Sequence, residues 1–277
     1  MNLETLYRPI AAELEEVKTE LQSLAETFGY EQTNRILEHF FQRPGKFLRP
    51  ALVLFSAKAV LDPLPSRLRA RLVHAAVGVE LLHDASLVHD DVIDNDTERR
   101  GHPTINQALG NKLAVLTGDV IYSRGFHYFT RALPQHLLLD VVKLNELMCS
   151  AEIEQARTLG TDLTRETYYR IIEGKTAAFM SICCHLGSSL AGEGLEDKAH
   201  HAIALRRFGL EFGLAYQLFD DRADGEATCS AVDGDAEGHE HLSRAIELLH
   251  RLPESPARTE LSSLCEFLQQ HHKGSKP

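Results

Sequence analysis

Apolar residues recur at helical spacing over most of the chain, and no long β-branched segment alternates apolar with polar positions between glycine or proline boundaries. The pattern predicts a nearly all-helical protein. Breaks fall at Phe28-Gly29, Arg43-Pro44-Gly45, Asp62 to Pro65, Gly101 to Pro103, Leu133-Pro134, Leu159-Gly160 and Gly192 to Gly194, leaving segments often longer than an average globular helix. Long helices side by side imply a helical bundle. With no fixed-period repeat and no Ser/Pro-rich linker, residues 1–277 read as a single domain. The longest uncharged run, the 17 residues Thr176–Gly192, contains Ser181, His185, Ser188 and Ser189, which is short and polar for a membrane span, so it predicts a buried helix. The stretch at about 225–241 is acidic and punctuated by Gly225, Gly234 and Gly238, which predicts a mobile loop. Its Asp233-Gly-Asp235 start imitates a calcium loop, but the twelfth position is Arg244 rather than Glu.

Composition narrows the partners. The 277 residues are 43% hydrophobic and 25% charged, and 29 Lys plus Arg against 40 Asp plus Glu leave a net charge of −11. That balance argues against nucleic acid or an anionic membrane surface as the main partner, and any anionic ligand needs a local basic patch. Five cysteines, an odd number with no Cys-x-x-Cys pair, point to a reducing, cytoplasmic location. The N-terminal residues show neither a basic region nor an apolar run of the kind a signal peptide needs.

The chemistry concentrates in two apolar segments that end in acid. In Val79–Asp96 a helix would be buried, yet it carries His83, Asp90, Asp91 and Asp94. At about 100° per residue, His83, Asp90 and Asp94 fall within roughly 20° of one stripe. Like charges so placed must share a cation, take up protons or open to water, and Mg²⁺ accepts one or two carboxylates while leaving positions for phosphate oxygens. Phe208–Asp224 repeats the design with Asp220, Asp221 and Asp224, and with Gln217 one turn earlier. Two such helices face to face can hold several metal ions around a charged phosphate group. Cations follow turn residues at Gly45-Lys46-Phe47-Leu48-Arg49, Arg99-Arg100-Gly101 and Gly174-Lys175-Thr176, and suit diphosphate. The last is no P-loop, because the upstream glycine spacing is absent.

The ordered set GKFLRP, LLHDASLVHDDVID, RRGHPT, LTGDVIY, EGKTAAF and GLAYQLFDDRAD resembles the trans-isoprenyl diphosphate synthases, or polyprenyl synthetases, from about Phe41 to Asp224. The resemblance implies an all-α isoprenoid synthase type I fold around a central cavity, a homodimer, and condensation of isopentenyl diphosphate with an allylic diphosphate. It implies three Mg²⁺ ions per site, held by Asp90, Asp94 and Asp220 with support from Asp91, Asp221 and Asp224. It places Lys46, Arg49, His83 and Arg100 on isopentenyl diphosphate, Arg99 and Lys175 on the allylic diphosphate, and Thr176 and Gln217 along the carbocation path. The growing tail would first meet Ser86 and Ala85, both small, then Leu82, Leu81 and Gly78, so the implied product is longer than farnesyl, geranylgeranyl or above. A bulky side chain from a neighbouring helix is the alternative stop.

The resemblance breaks after the second acidic motif. Family members continue with a lysine, a Gly-Lys-x-x-Gly-x-Asp stretch and further helices; here no Lys occurs from Ala199 to His272, although Leu242–Gln270 resembles the closing helices. The reading is an internal loss of a few tens of residues. Arg222 stands where the family is usually neutral, and would partly neutralise the acidic cluster or point outward. Two other readings stand beside an active synthase. One is a degenerate, non-catalytic or regulatory subunit of a heteromeric synthase. The other, a class I terpene cyclase, explains the aspartates but leaves Lys46, Arg49 and His83 without a role.

Overall fold

A computed structural model describes residues 2–24, 29–41, 45–99, 101–158, 160–195, 199–224 and 229–271, the side chains of 39, 224 and 271 excepted. The chain is helical, as the apolar spacing predicts. Short α1 (Leu3–Leu6) leads through a single 3₁₀ turn into α2 (Ala11–Ser23) and α3 (Glu31–Phe41). The centre is built from α4 (Leu48–Val60), α5 (Ser66–Ile93), α10 (Ala178–Gly192) and α11 (Ala199–Asp224), with α7 (Asn111–Ala132) packed along α5 and α12 (Gly234–Leu249) along α11. The remaining helices α6 (Ile105–Leu109), α8 (Gln135–Thr158), α9 (Arg165–Ile172) and α13 (Pro256–His271) surround them.

Helices apolar all round are the ones buried all round. Pro50 to Ala57 on α4 are all buried, and α10, the uncharged run of the sequence, buries eleven residues from Phe179 to Ala191. Among the described residues no helix is long and apolar enough to cross a membrane. The 28 residues of α5 rise about 42 Å, which carries His83 and the first acidic motif from the core to one end of the bundle.

Two features escape the helical pattern. A two-residue ribbon, β1 (Glu98–Arg99) against β2 (His102–Pro103), follows the first acidic motif in antiparallel register. The expected acidic loop at 225–241 is corrected from residue 234 onward, where α12 begins. Asp233 caps it by accepting from the Ala236 N–H at 3.1 Å, and Asp235 and Glu237 occupy its first turn, where the helix dipole favours negative charge. The same acids that read as loop are helix-start signals. Residues 225–228 lie outside the described set.

α10 sits so close to α4 that a Cβ added at Gly187 would lie 1.9 Å from the Val53 carbonyl oxygen. Backbone cannot yield as a flexible side chain can. Gly187→Ala is therefore expected to lower stability by about 3 kcal/mol in denaturant unfolding, whereas Gly29→Ala, with nothing within 4 Å of the new methyl, stays within about 0.5 kcal/mol. Equal effects at the two positions would refute the close-packing account.

Candidate active site

The first acidic motif lies in the last turns of α5. Asp90 is half-buried, Asp91 is 5% exposed, and Asp94 caps the helix, its N–H donating to the Asp90 carbonyl at 2.8 Å. Burial, mutual repulsion and the negative end of the helix dipole all oppose ionisation there. Burial first and the Glu152 charge second push the Asp90 carboxyl up to about 6, and the same two causes raise Asp94. Asp91 is also raised by burial, although Arg99 pulls it back through contacts at 2.6 Å from both Nε and Nη2. Arg99, expected on diphosphate, is thus committed to Asp91, and reaches Asp96 at 3.6 Å. Neither Asp90 nor Asp94 has an ion pair among the described residues. Among the described residues no three His, Cys, Asp or Glu side chains form a ready metal centre. The fit to a hard cation rests on the donors themselves: two carboxylate side chains one turn apart, whose charge Lys175 and Arg99 offset only in part.

Between α9 and α10 the chain makes a π turn, Glu173–Ala177, that carries Lys175 and Thr176. It is wedged between two helices. A Cβ on Gly174 would meet the Ala151 side chain of α8 at 2.6 Å, and one on Gly213 of α11 would meet the Ala177 backbone at 2.6 Å. Lys175 Nζ lies 2.5 Å from Glu152 Oε2 and donates to Gln155 Oε1 at 2.8 Å. Its charge also acts on Asp90 and Asp94. Thr176 Oγ1 donates to Gln217 Oε1 at 2.6 Å, and Gln217 Nε2 donates to Asp221 Oδ1 at 2.6 Å. Tyr168 OH holds the other oxygen, Asp221 Oδ2, at 2.6 Å. Adjacent residues of one turn therefore reach towards both acidic motifs. Asp220 is half-buried beside Asp221, while Arg100 and the Asp224 side chain lie outside the described residues. Arg222 turns to Asp235 of α12.

Sequence reasoning missed Glu152, Gln155 and Tyr168. A signal for the first two existed in their i, i+3 spacing on α8, which puts both on one face. Tyr168 gives no such signal.

The cationic residues gather one helix away. Arg49 of α4 lies 4.9 Å over the Phe179 ring, and the His83 ring packs edge-on to the same phenyl at 6.5 Å. Arg49 Nε is buried without a hydrogen-bond partner, an open donor suited to an anion. Lys46 is exposed, its carbonyl accepting from Tyr7 OH at 3.1 Å. His83 and Asp90, seven residues apart on one side of α5, are separated by about 10.5 Å of helix rise.

Along the next face of α5, Ala85 and Leu82 are buried and Ser86 is half-buried, its hydroxyl donating to the His83 carbonyl at 2.8 Å. Below them Phe129 of α7 fills the space at Gly78, where an added Cβ would lie 2.6 Å from its ring. A cavity of about 120 Å³ opens along another face of α5, against Glu80, Asp84 and Leu87, is walled by Phe40, Phe41 and Phe47, and reaches Asp91 and Arg99 of the acidic motif.

The polyprenyl synthetase family model matches residues 30–233. The heptaprenyl diphosphate synthase component 2 of Geobacillus stearothermophilus is 33% identical over 231 residues, 82% of this chain and 68% of that protein. The octaprenyl diphosphate synthase of Escherichia coli is 32% identical over 250 residues, 88% of this chain and 72% of that one. The solved decaprenyl diphosphate synthase of Rhodobacter capsulatus superposes with a TM-score of 0.85 at 23% identity, covering 98% of this chain and 99% of that chain, a likeness of fold.

The raised carboxyls give a pH dependence with a definite sign. A carboxyl whose folded pKa exceeds its unfolded value favours the folded state most at low pH, and that contribution is lost as pH rises through about 6. A divalent cation needs the ionised form, so its binding displaces the proton. Calorimetric titration with Mg²⁺ alone is expected to show affinity about tenfold weaker at pH 5 than at pH 7, with proton release to buffer. A pH-independent affinity would contradict the assignment of Asp90.

Proposed function

The chain belongs to the polyprenyl synthetase family, and on that premise we propose that it is a prenyltransferase joining isopentenyl diphosphate to an allylic diphosphate with release of diphosphate. One observation carries the reading. Two subsites of opposite character lie along one side of α5: carboxylates with raised pKa at Asp90 and Asp94, and, two turns back, His83 and the partnerless buried Nε of Arg49 on one aromatic ring. A single-substrate chemistry has no use for the second.

In this proposal Asp90, Asp94 and Asp220 hold Mg²⁺, with Asp91, Asp221 and Asp224 supporting them. When bound, the metal neutralises the charge that develops on the departing diphosphate. Lys175 leaves Glu152 to grip the allylic diphosphate, and Arg99 joins it by leaving Asp91. Lys46, Arg49, His83 and Arg100 hold isopentenyl diphosphate. The allylic C–O bond breaks with its electron pair passing to diphosphate, the isopentenyl double bond attacks the cation, and a proton leaves to the released diphosphate. Thr176 and Gln217 present oxygens to the cation's path. The tail runs past Ser86, Ala85 and Leu82 until it meets Phe129 at Gly78, about 18 Å of helix rise from Asp90. That stop supports geranylgeranyl diphosphate as the product.

Exposed apolar side chains on α7 (Leu113, Val115, Leu116) and α8 (Leu139, Leu147, Ile153) support a homodimer that covers them. A second reading, one subunit of a heteromeric synthase, is favoured by the Geobacillus relative, whose name makes it a component.

Incubation of the purified chain with labelled isopentenyl diphosphate, farnesyl diphosphate and Mg²⁺ is expected to give products ending near geranylgeranyl. Asp90→Ala should lower the rate at least about a hundredfold, and Phe129→Leu should shift the distribution to longer chains. No incorporation from dimethylallyl, geranyl or farnesyl primers by folded protein would reject the active enzyme and favour the heteromeric subunit. An unchanged product length in Phe129→Leu would remove Phe129 as the stop.

A further inference from the structure

We infer that Tyr168 is a positioning residue that fixes the second acidic motif, and that the acidic start of α12 supplies its anchor. The inference rests on the reading above, in which that motif receives a metal-bound diphosphate.

Each partner in the contact has only one possible role. An ionised carboxylate accepts only, so Tyr168 OH and Gln217 Nε2 must both donate to Asp221, one to each oxygen. Gln217 then has its Oε1 left to accept from Thr176. The network has a single polarity, and it sets both the rotamer of Asp221 and the amide orientation of Gln217. Tyr168 is 4% exposed and reaches the site only through Asp221. Its ring belongs to a small apolar cluster of its own, with Ile172, Ala177, Leu214, Leu218 and Cys229, set apart from the main core. The ring is held by packing and the hydroxyl is aimed by it.

The neighbouring tyrosine shows what holds α9 in place. Tyr169 OH donates to Glu237 Oε2 and lies 3.4 Å from His241 Nε2, while His241 Nδ1 lies 2.7 Å from Glu211 Oε2 of α11. Arg165 Nη1 donates to Glu237 Oε1 at 2.5 Å, and Ser230 donates twice to Asp162, at 2.9 and 2.7 Å. Thus residues 230–241 tie α9, and Asp162 just before it, to α12 and through His241 to α11. Tyr168 adds a second tie to α11, at Asp221. Glu237 acts at two removes from the diphosphate site, through Tyr169 and then Tyr168.

The test is thermal stabilisation of the full chain by Mg²⁺ with inorganic diphosphate, which needs no turnover. Tyr168→Phe removes one hydroxyl and keeps the ring packed. It is expected to raise the Mg²⁺–diphosphate concentration at half-stabilisation about fivefold while moving the unliganded melting temperature little. In turnover assays KM for the allylic diphosphate should rise more than kcat falls. Glu237→Gln, which touches neither Asp221 nor substrate, should shift the same midpoint in the same direction, about twofold. If Mg²⁺–diphosphate stabilises the unaltered chain and both variants equally, the positioning role fails while the proposed function stands. If it does not stabilise the unaltered chain, both are wrong.

Discussion

The constraint on which this molecule turns is the placement of carboxylates where the fold itself disfavours their charge. Asp90 and Asp94 sit at the negative end of a long apolar helix, within the field of Glu152, and both are raised above the ordinary carboxylate range. A folded chain tolerates such a cost at a site that something else completes. The surroundings limit the damage without removing it. Arg99 covers Asp91, Tyr168 and Gln217 hold both oxygens of Asp221, and Lys175 is kept nearby on Glu152. What is left uncovered, Asp90 and Asp94, is what a cation can use.

Close packing makes that arrangement possible. α10 can lie against α4 only because position 187 has no side chain, and the π turn fits between α8 and α11 only because Gly174 and Gly213 have none. A π turn widens the helix by one residue and breaks its regular register. Here it gives consecutive residues different targets: Lys175 faces Glu152 on α8, and Thr176 faces Gln217 on α11. An unbroken α-helix would also separate neighbours by about 100°, but would not place the step between two packed helices at this point.

Much of the fold was legible because one physical signal dominates it. Runs apolar on every face, such as Thr176–Gly192, have nowhere to go but the core, and the breaks at Pro63, Pro65 and Pro134 fall between helices where proline ends them. Charged and polar residues inside such runs stood out for the same reason, which is how Asp90, Asp94, His83 and Gln217 could be picked from sequence. What stayed hidden depends on tertiary contact. Nothing local distinguishes an acidic loop from the acidic first turn of α12, whose buried face carries no large apolar side chain before Leu242. The Arg99–Asp91 pair needs the β1–β2 ribbon to fold Arg99 back, and Phe129 reaches Gly78 from a helix about fifty residues away.

The separation of charge along α5 also decides between chemistries. A cyclase needs one diphosphate site, and the acidic ends of α5 and α11 would serve it alone. The chain instead keeps the Nε of half-buried Arg49 out of water and without a hydrogen-bond partner, a state that costs free energy unless an acceptor arrives. Its guanidinium is already oriented by the Phe179 ring, with His83 edge-on to the same ring. Flexible carboxylates and a guanidinium in one site would pair with one another. They stay apart because each is fixed to a rigid helix, the two subsites about two turns of α5 from each other, and a second anion is the group that both needs and rewards that distance.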